Sequence, residues 1–140
     1  MGAALRMSQT LAVEGTQAGI QKAVDALQAW SDRERLSDAA RRRLLTALDE
    51  ILSNVVRHGL AERPGLIEVT LSREGDVLTA EVADDARPFN PLLAPPPDTT
   101  SPLETREPGG LGIALVRSLT DEVRYERREE RNRLTMTWRV

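Results

Sequence analysis

Leu45-Thr46-Ala47-Leu48-Asp49-Glu50-Ile51-Leu52-Ser53-Asn54-Val55-Val56-Arg57-His58-Gly59 reads as one amphipathic helix. Leu44, Leu45, Leu48, Leu52, Val55 and Val56 recur at helical spacing and form a core-facing stripe. At ~100° per residue, Glu50 and Asn54 stand roughly 40° apart and off that stripe. Both can point into one pocket. There Glu50 can accept a proton, and Asn54 can offer an amide oxygen to a hard cation such as Mg²⁺. Taken alone, the pair also fits an ordinary solvated helix face. Asp38 is the candidate N-cap of this helix, and Gly59 suits its C-terminal end.

A second motif follows at Val82-Ala83-Asp84-Asp85-Ala86-Arg87-Pro88-Phe89-Asn90-Pro91. Leu78, Ala80 and Val82 alternate with Thr79 and Glu81, so a strand leads into it. Asp84 and Asp85 thus fall at the carboxyl end of a strand. A carboxylate there can accept a hydrogen bond from a ligand amino group or close an Asx turn. The third motif is Pro108-Gly109-Gly110-Leu111-Gly112-Ile113-Ala114-Leu115-Val116, three glycines running into an apolar helical stretch. Glycines let an anion approach the backbone, and a helix N-terminus offers unpaired N–H groups and a positive dipole end. A plain turn before a helix has the same composition.

In this order and spacing, the three motifs resemble the N, G1 and G2 boxes of the GHKL ATP-binding superfamily. The similarity is greatest to the small bacterial anti-sigma-factor serine/threonine kinases and spans residues 8–140. The run Leu119-Thr120-Asp121-Glu122-Val123 resembles that family's Met-Asp-Glu-Val segment. The resemblance implies an α+β fold: a two-layer α/β sandwich of the GHKL (Bergerat) type, with helices on one face of a mixed, mainly antiparallel sheet. It implies ATP and Mg²⁺ as cofactors. It makes Glu50 the general base and Asn54 the Mg²⁺ ligand. Asp84 becomes the reader of the adenine amino group, with Asp85 as the alternative. Gly109, Gly110, Leu111 and Gly112 form the phosphate loop, and Arg106 stands near a basic position that precedes it. There are departures. Ala86 and Pro88 replace the two G1 glycines, which stiffens that turn. Arg131-Asn132 stands where the family has a closing Gly-Thr, which removes a hydroxyl expected near the adenine.

Composition fits one domain of ordinary size at 140 residues. The chain has no Cys, so thiolate metal sites and disulfides are excluded, and one His cannot build a histidine metal site. No apolar run approaches the ~20 residues of a membrane span, and no signal-peptide pattern opens the chain; the expected location is cytoplasmic. A net charge of −3 offers no general attraction to nucleic acid. Arg41-Arg42-Arg43 and Arg127-Arg128 read as solvated faces or a partner surface.

Along the chain, Met1–Met7 reads as a disordered end and residues 8–140 as a single domain. Leu11 and Val13 suggest a first strand. Ile20, Val24, Leu27 and Trp30 give a helical stripe. Ile67, Val69 and Leu71 mark a further strand that turns at Glu74-Gly75-Asp76. Val123 and Tyr125, then Leu134, Met136, Trp138 and Val140, mark the last two. Residues 90–108 are Pro-rich and aperiodic. Their place between the two ligand motifs suggests an ATP lid, or equally a passive loop. His58 reads as structural, and Trp30 and Trp138 as core or interface residues.

The resemblance implies ATP-dependent phosphorylation of a serine or threonine on an anti-anti-sigma (STAS) protein within a partner-switching circuit. A sigma factor or another regulator is the second partner, and a homodimer is open to it. The alternative is a module in which ATP tunes partner affinity without phosphotransfer. A third is an ATPase subunit or detached histidine-kinase-like domain. The first helix carries no phosphoacceptor His, which argues against autonomous histidine kinase action.

Overall fold

A computed structural model describes residues 7–61, 63–93 and 111–140. The chain begins with β1 (Met7–Glu14), so Met7 is already in a strand; residues 1–6 lie outside the described residues. Thr16 starts α1 (Gln17–Arg33) by accepting the Gly19 N–H at 3.0 Å. Gly19 is needed there, because a Cβ would sit 1.7 Å from the Glu14 carbonyl oxygen. The helix ends in a Schellman motif: Leu36 N–H donates to Ser31 O at 3.0 Å and Arg35 N–H to Asp32 O at 3.1 Å, with Arg35 at φ 55°.

The next helix, α2 (Asp38–Asn54), is capped by Ser37 rather than Asp38. Ser37 is extended, and its Oγ accepts the Ala40 N–H at 3.1 Å. Asp38 is the first helical residue, where its carboxylate favours the positive end of the dipole. The expected stripe is buried at Leu44, Leu48, Leu52 and Val55, joined by Ala40, Ala47 and Ile51, with Leu45 and Val56 half-buried at its edges. Past Asn54 the helix widens into one π-turn over Val55–Gly59, closed by Leu60 N–H to Val55 O at 2.8 Å. Gly59 is thus the last residue of this helical stretch, as expected, without a left-handed φ. Ala61, at φ 52°, takes that conformation.

The sheet has β2 (Leu66–Glu74), β3 (Val77–Asp84), β4 (Glu122–Arg128) and β5 (Arg131–Arg139) in the order β1-β2-β3-β5-β4. All four neighbouring pairs are antiparallel, so the expected mixed sheet is purely antiparallel among the described residues. Ile67, Val69, Leu71, Leu78, Ala80, Val82, Leu134, Met136 and Trp138 bury one face against the helices. The opposite face is polar and carries ion pairs Arg133–Glu81 at 3.2 Å and Arg131–Glu68 at 3.8 Å. Gly75, at φ 63°, turns β2 into β3, and Glu129 and Glu130 turn β4 into β5 at φ 55° and 60°. Trp30 and Trp138 are both core residues, 3% and 1% exposed.

The last helix, α3 (Leu111–Leu119), packs on α2. The Leu119 carbonyl accepts from both Trp138 Nε1 at 2.8 Å and Arg43 Nε at 3.2 Å. Asp121 then accepts the Arg139 N–H at 2.6 Å and pairs with Arg43 at 3.7 Å. The Asp of the Leu119–Val123 run is therefore a structural tie between α2, β5 and the end of α3. Arg41 pairs with Asp32 on α1 at 3.0 Å. Two of the three consecutive arginines thus hold the helices in place instead of forming a solvated face. No helix among the described residues is long and apolar enough to cross a membrane.

Candidate nucleotide site

Asp84 is the last residue of β3 and has the same strand parity as Leu78, Ala80 and Val82, so its side chain faces the helix layer. It is 3% exposed. Its Oδ1 accepts the Ala86 N–H at 3.0 Å, closing an Asx turn, and Asn132 Nδ2–H at 2.9 Å. Asn132 is its partner across the β3–β5 ladder. Asp85, the alternative reader, is exposed.

Asn132 is the hub of this end of the site and is 4% exposed. Nδ2 also donates to Arg87 O at 2.9 Å. Its Oδ1 accepts from Phe89 N–H at 3.2 Å, Arg127 Nη1 at 3.2 Å and the Tyr125 hydroxyl. Acceptors on one side and donors on the other fix which atom is oxygen and which nitrogen. The missing hydroxyl of the closing Gly-Thr is thus replaced by a carboxamide bonded directly to Asp84. Arg127 Nη1 further donates to Ala86 O at 2.7 Å, so Arg127, although exposed, braces the turn. Residues 86–88 have no positive φ, so Ala86 and Pro88 fit this turn without glycine's freedom.

The second group of residues lies at the end of α2. Glu50 and Asn54 are both half-buried. Asn54 Nδ2 donates to its own helix at Glu50 O, 2.8 Å away, which leaves the amide oxygen as the free end of the group among the described residues. The Glu50 carboxylate has no hydrogen bond among them. Gly112, at the start of α3, faces this pair. A Cβ at Gly112 would stand 2.5 Å from Glu50 Oε2 and 3.7 Å from Asn54 Nδ2. The first and third motifs therefore meet in space, and only glycine leaves room between them. Leu111 is the first residue of α3. Arg106, Gly109 and Gly110 lie outside the described residues, as does the expected lid from residue 94 onward.

The loop after Asp84 joins the two groups. Arg87 Nη2 donates to His58 O at 3.0 Å, and the Phe89 and His58 rings lie 5.9 Å apart at a 37° tilt. The π-turn after Asn54 is thereby held against the segment that positions Asp84. His58 is exposed, and its ring lies against Phe89. The Pro-rich segment begins anchored: Asn90 Oδ1 accepts the Leu92 N–H at 2.9 Å, Pro91 is buried, and Arg117 Nη2 reaches Leu92 O at 3.4 Å.

The donor set suits Mg²⁺ held largely by phosphate oxygens. Among the described residues no three His, Cys, Asp or Glu side chains converge as a metal cage. Mg²⁺ typically takes one or two protein oxygens and completes its shell with phosphates and water. Asn54 Oδ1 can be such a ligand.

Sequence reasoning named Glu50, Asn54, Asp84 and Gly112; it placed Asn132 near the adenine only as the loss of a hydroxyl, and it gave Tyr125, Arg127 and Phe89 no part in the site. Tyr125 and Asn132 carried one usable signal. Each is polar and shares strand parity with apolar residues: Val123 in β4, and Leu134, Met136 and Trp138 in β5.

Residues 13–138 match the family described as histidine kinase-like ATPase domain. Over 120 residues the chain is 32% identical to serine/threonine-protein kinase BtrW of Bordetella bronchiseptica, covering 82% of this chain and 84% of that protein. Among solved structures, the RsbU and RsbW domains of Rv1364c from Mycobacterium tuberculosis superpose with a TM-score of 0.68 at 20% identity. That match covers 95% of this chain and 32% of the other, and it supports the fold alone.

Proposed function

The chain belongs to the histidine kinase-like ATPase domain family, and on that premise we propose that it is an ATP-dependent serine/threonine protein kinase of the anti-sigma type. Its substrate is a serine or threonine hydroxyl on a STAS-like partner in a partner-switching circuit, and a sigma factor or similar regulator is the second partner. The observation that carries this reading is the approach of Gly112 to Glu50 Oε2 and Asn54 Nδ2, which sets a carboxylate and a carboxamide beside the start of the phosphate-loop helix.

The mechanism is chiefly one of positioning. Asp84 accepts the adenine amino group, and the α3 N-terminus with Gly112 receives the phosphates. Asn54 offers its oxygen to Mg²⁺, whose chemistry when bound is to neutralise phosphate charge. Glu50 orients the incoming hydroxyl and accepts its proton, while that oxygen forms a bond to the γ-phosphorus and the bond to the β-phosphate oxygen breaks. Among the described residues no group bonds the Glu50 carboxylate, which suits this role.

A second reading is favoured by the tightly braced Asp84 turn: nucleotide binding alone tunes partner affinity. Incubation with γ-labelled ATP and a STAS protein from the same genome separates the two. Label on a partner serine or threonine is the expected result. A nucleotide-dependent complex without label would replace the kinase with the binding module.

A further inference from the structure

We infer that Asn132 is a specificity-determining positioning residue, which holds Asp84 so that one carboxylate oxygen alone is presented to a purine 6-amino group. The inference rests on Asp84 as the adenine reader. It adds what makes that reader selective in this chain, where both the glycines and the closing hydroxyl expected at this place are absent.

Three observations carry it. Asp84 Oδ1 is occupied by two donors, Ala86 N–H at 3.0 Å and Asn132 Nδ2–H at 2.9 Å, whereas Oδ2 has no partner among the described residues. A carboxylate with one oxygen fully engaged cannot rotate without breaking both bonds. Asn132 itself cannot flip, because Phe89 N–H, the Tyr125 hydroxyl and Arg127 all donate to its Oδ1. Reversing the amide would set its NH₂ against three donors and its oxygen against the Arg87 carbonyl and Asp84. Finally, Asn132 and Asp84 are both buried, so water does not easily replace a lost bond.

The consequence is chemical. With Oδ1 engaged by two donors, the remaining Asp84 oxygen is the one left to accept from an N–H donor. A 6-amino purine supplies one. A 6-oxo purine such as hypoxanthine places a carbonyl oxygen there and is rejected, since a site built for a hydrogen bond discriminates strongly against its absence.

The test measures dissociation constants of Mg-ADP and Mg-IDP by calorimetry for wild type, Asp84→Ala, Asn132→Leu, Tyr125→Phe and the Asp84→Ala/Asn132→Leu double variant. Melting curves are recorded for each. Wild type favours ADP. Asp84→Ala abolishes the preference, and Asn132→Leu lowers the IDP/ADP ratio by about tenfold or more, since it leaves a buried pairing unmade. The double variant is no less selective than Asp84→Ala alone, because Asn132 acts through Asp84. Several partners of Asn132 lose a bond together in Asn132→Leu. Tyr125→Phe is the milder variant and lowers the ratio a few-fold through the loss of one donor to Oδ1. A wild-type ratio in Tyr125→Phe and in any folded Asn132→Leu, with selectivity lost in Asp84→Ala, would overturn the inference alone. A wild-type ratio in Asp84→Ala would overturn the adenine-reader assignment and the inference with it.

Discussion

The two ends of the site are built in opposite ways. At the strand end, Asp84 and Asn132 are buried and tied to Ala86, Arg87, Phe89, Tyr125 and Arg127 by hydrogen bonds from three segments of chain. At the helix end, Glu50 and Asn54 are half-buried, and among the described residues their side chains make one hydrogen bond, which goes to backbone. The first end is finished before any ligand arrives. On the proposed mechanism, the second receives groups that the ligand and partner bring. Preorganisation suits recognition of a base with fixed donors and acceptors. A general base, by contrast, must keep its oxygens free until the hydroxyl is in place.

The comparison is most easily broken at the open end. Glu50→Gln is expected to lower phosphate transfer to a partner by about 10²–10⁴-fold while ADP affinity stays at the wild-type value, since an amide cannot take the proton. Transfer is read with labelled ATP and affinity by calorimetry. Wild-type transfer would remove Glu50 from the mechanism.

At the finished end, Asp84→Ala should cost about 1–3 kcal/mol of ADP binding, the penalty for leaving a buried pairing unmade. Calorimetry gives the value directly, and an unchanged dissociation constant would contradict it.

Gly112→Ala tests the junction. A methyl group 2.5 Å from Glu50 Oε2 displaces the tip of a flexible side chain, so little folding energy is lost. Transfer should fall about tenfold through misplacement of the base, with the melting temperature unchanged or slightly raised by alanine's better helix propensity. A large drop in melting temperature would show that Gly112 serves packing instead.

The smallest effect is expected at Asn54. In Asn54→Ala, the gain in nucleotide affinity on adding Mg²⁺ should shrink by a few-fold, because the phosphates supply most of the metal's ligands. Titrations with and without Mg²⁺ read this difference.

Much of this molecule was legible in the sequence, for definite reasons. The α2 stripe and the alternation in β2, β3 and β5 are period signals, and they placed the core and the ends from which Glu50, Asn54 and Asp84 project. What was hidden depends on pairing between distant strands. Asn132 meets Asp84 only because β5 inserts between β3 and β4, an order that no local pattern specifies. Arg127 is exposed, as its reading as surface charge requires, but its acceptors, Ala86 O and Asn132 Oδ1, are set by that insertion and were hidden with it. Local capping also misled. Ser37 precedes Asp38 and both are good caps, so the choice depended on where the chain turned helical. Gly59 does end the helical stretch, but through a π-turn, with the left-handed position at Ala61.

The division of labour between the two ends is tested most directly by the transfer kinetics of Asp84→Ala over a range of Mg-ATP concentrations. With Asp84 serving recognition and Glu50 serving chemistry, the half-saturating ATP concentration should rise by about tenfold or more while the maximal transfer rate stays close to wild type. A maximal rate that falls as far as in Glu50→Gln, at saturating ATP, would contradict that division.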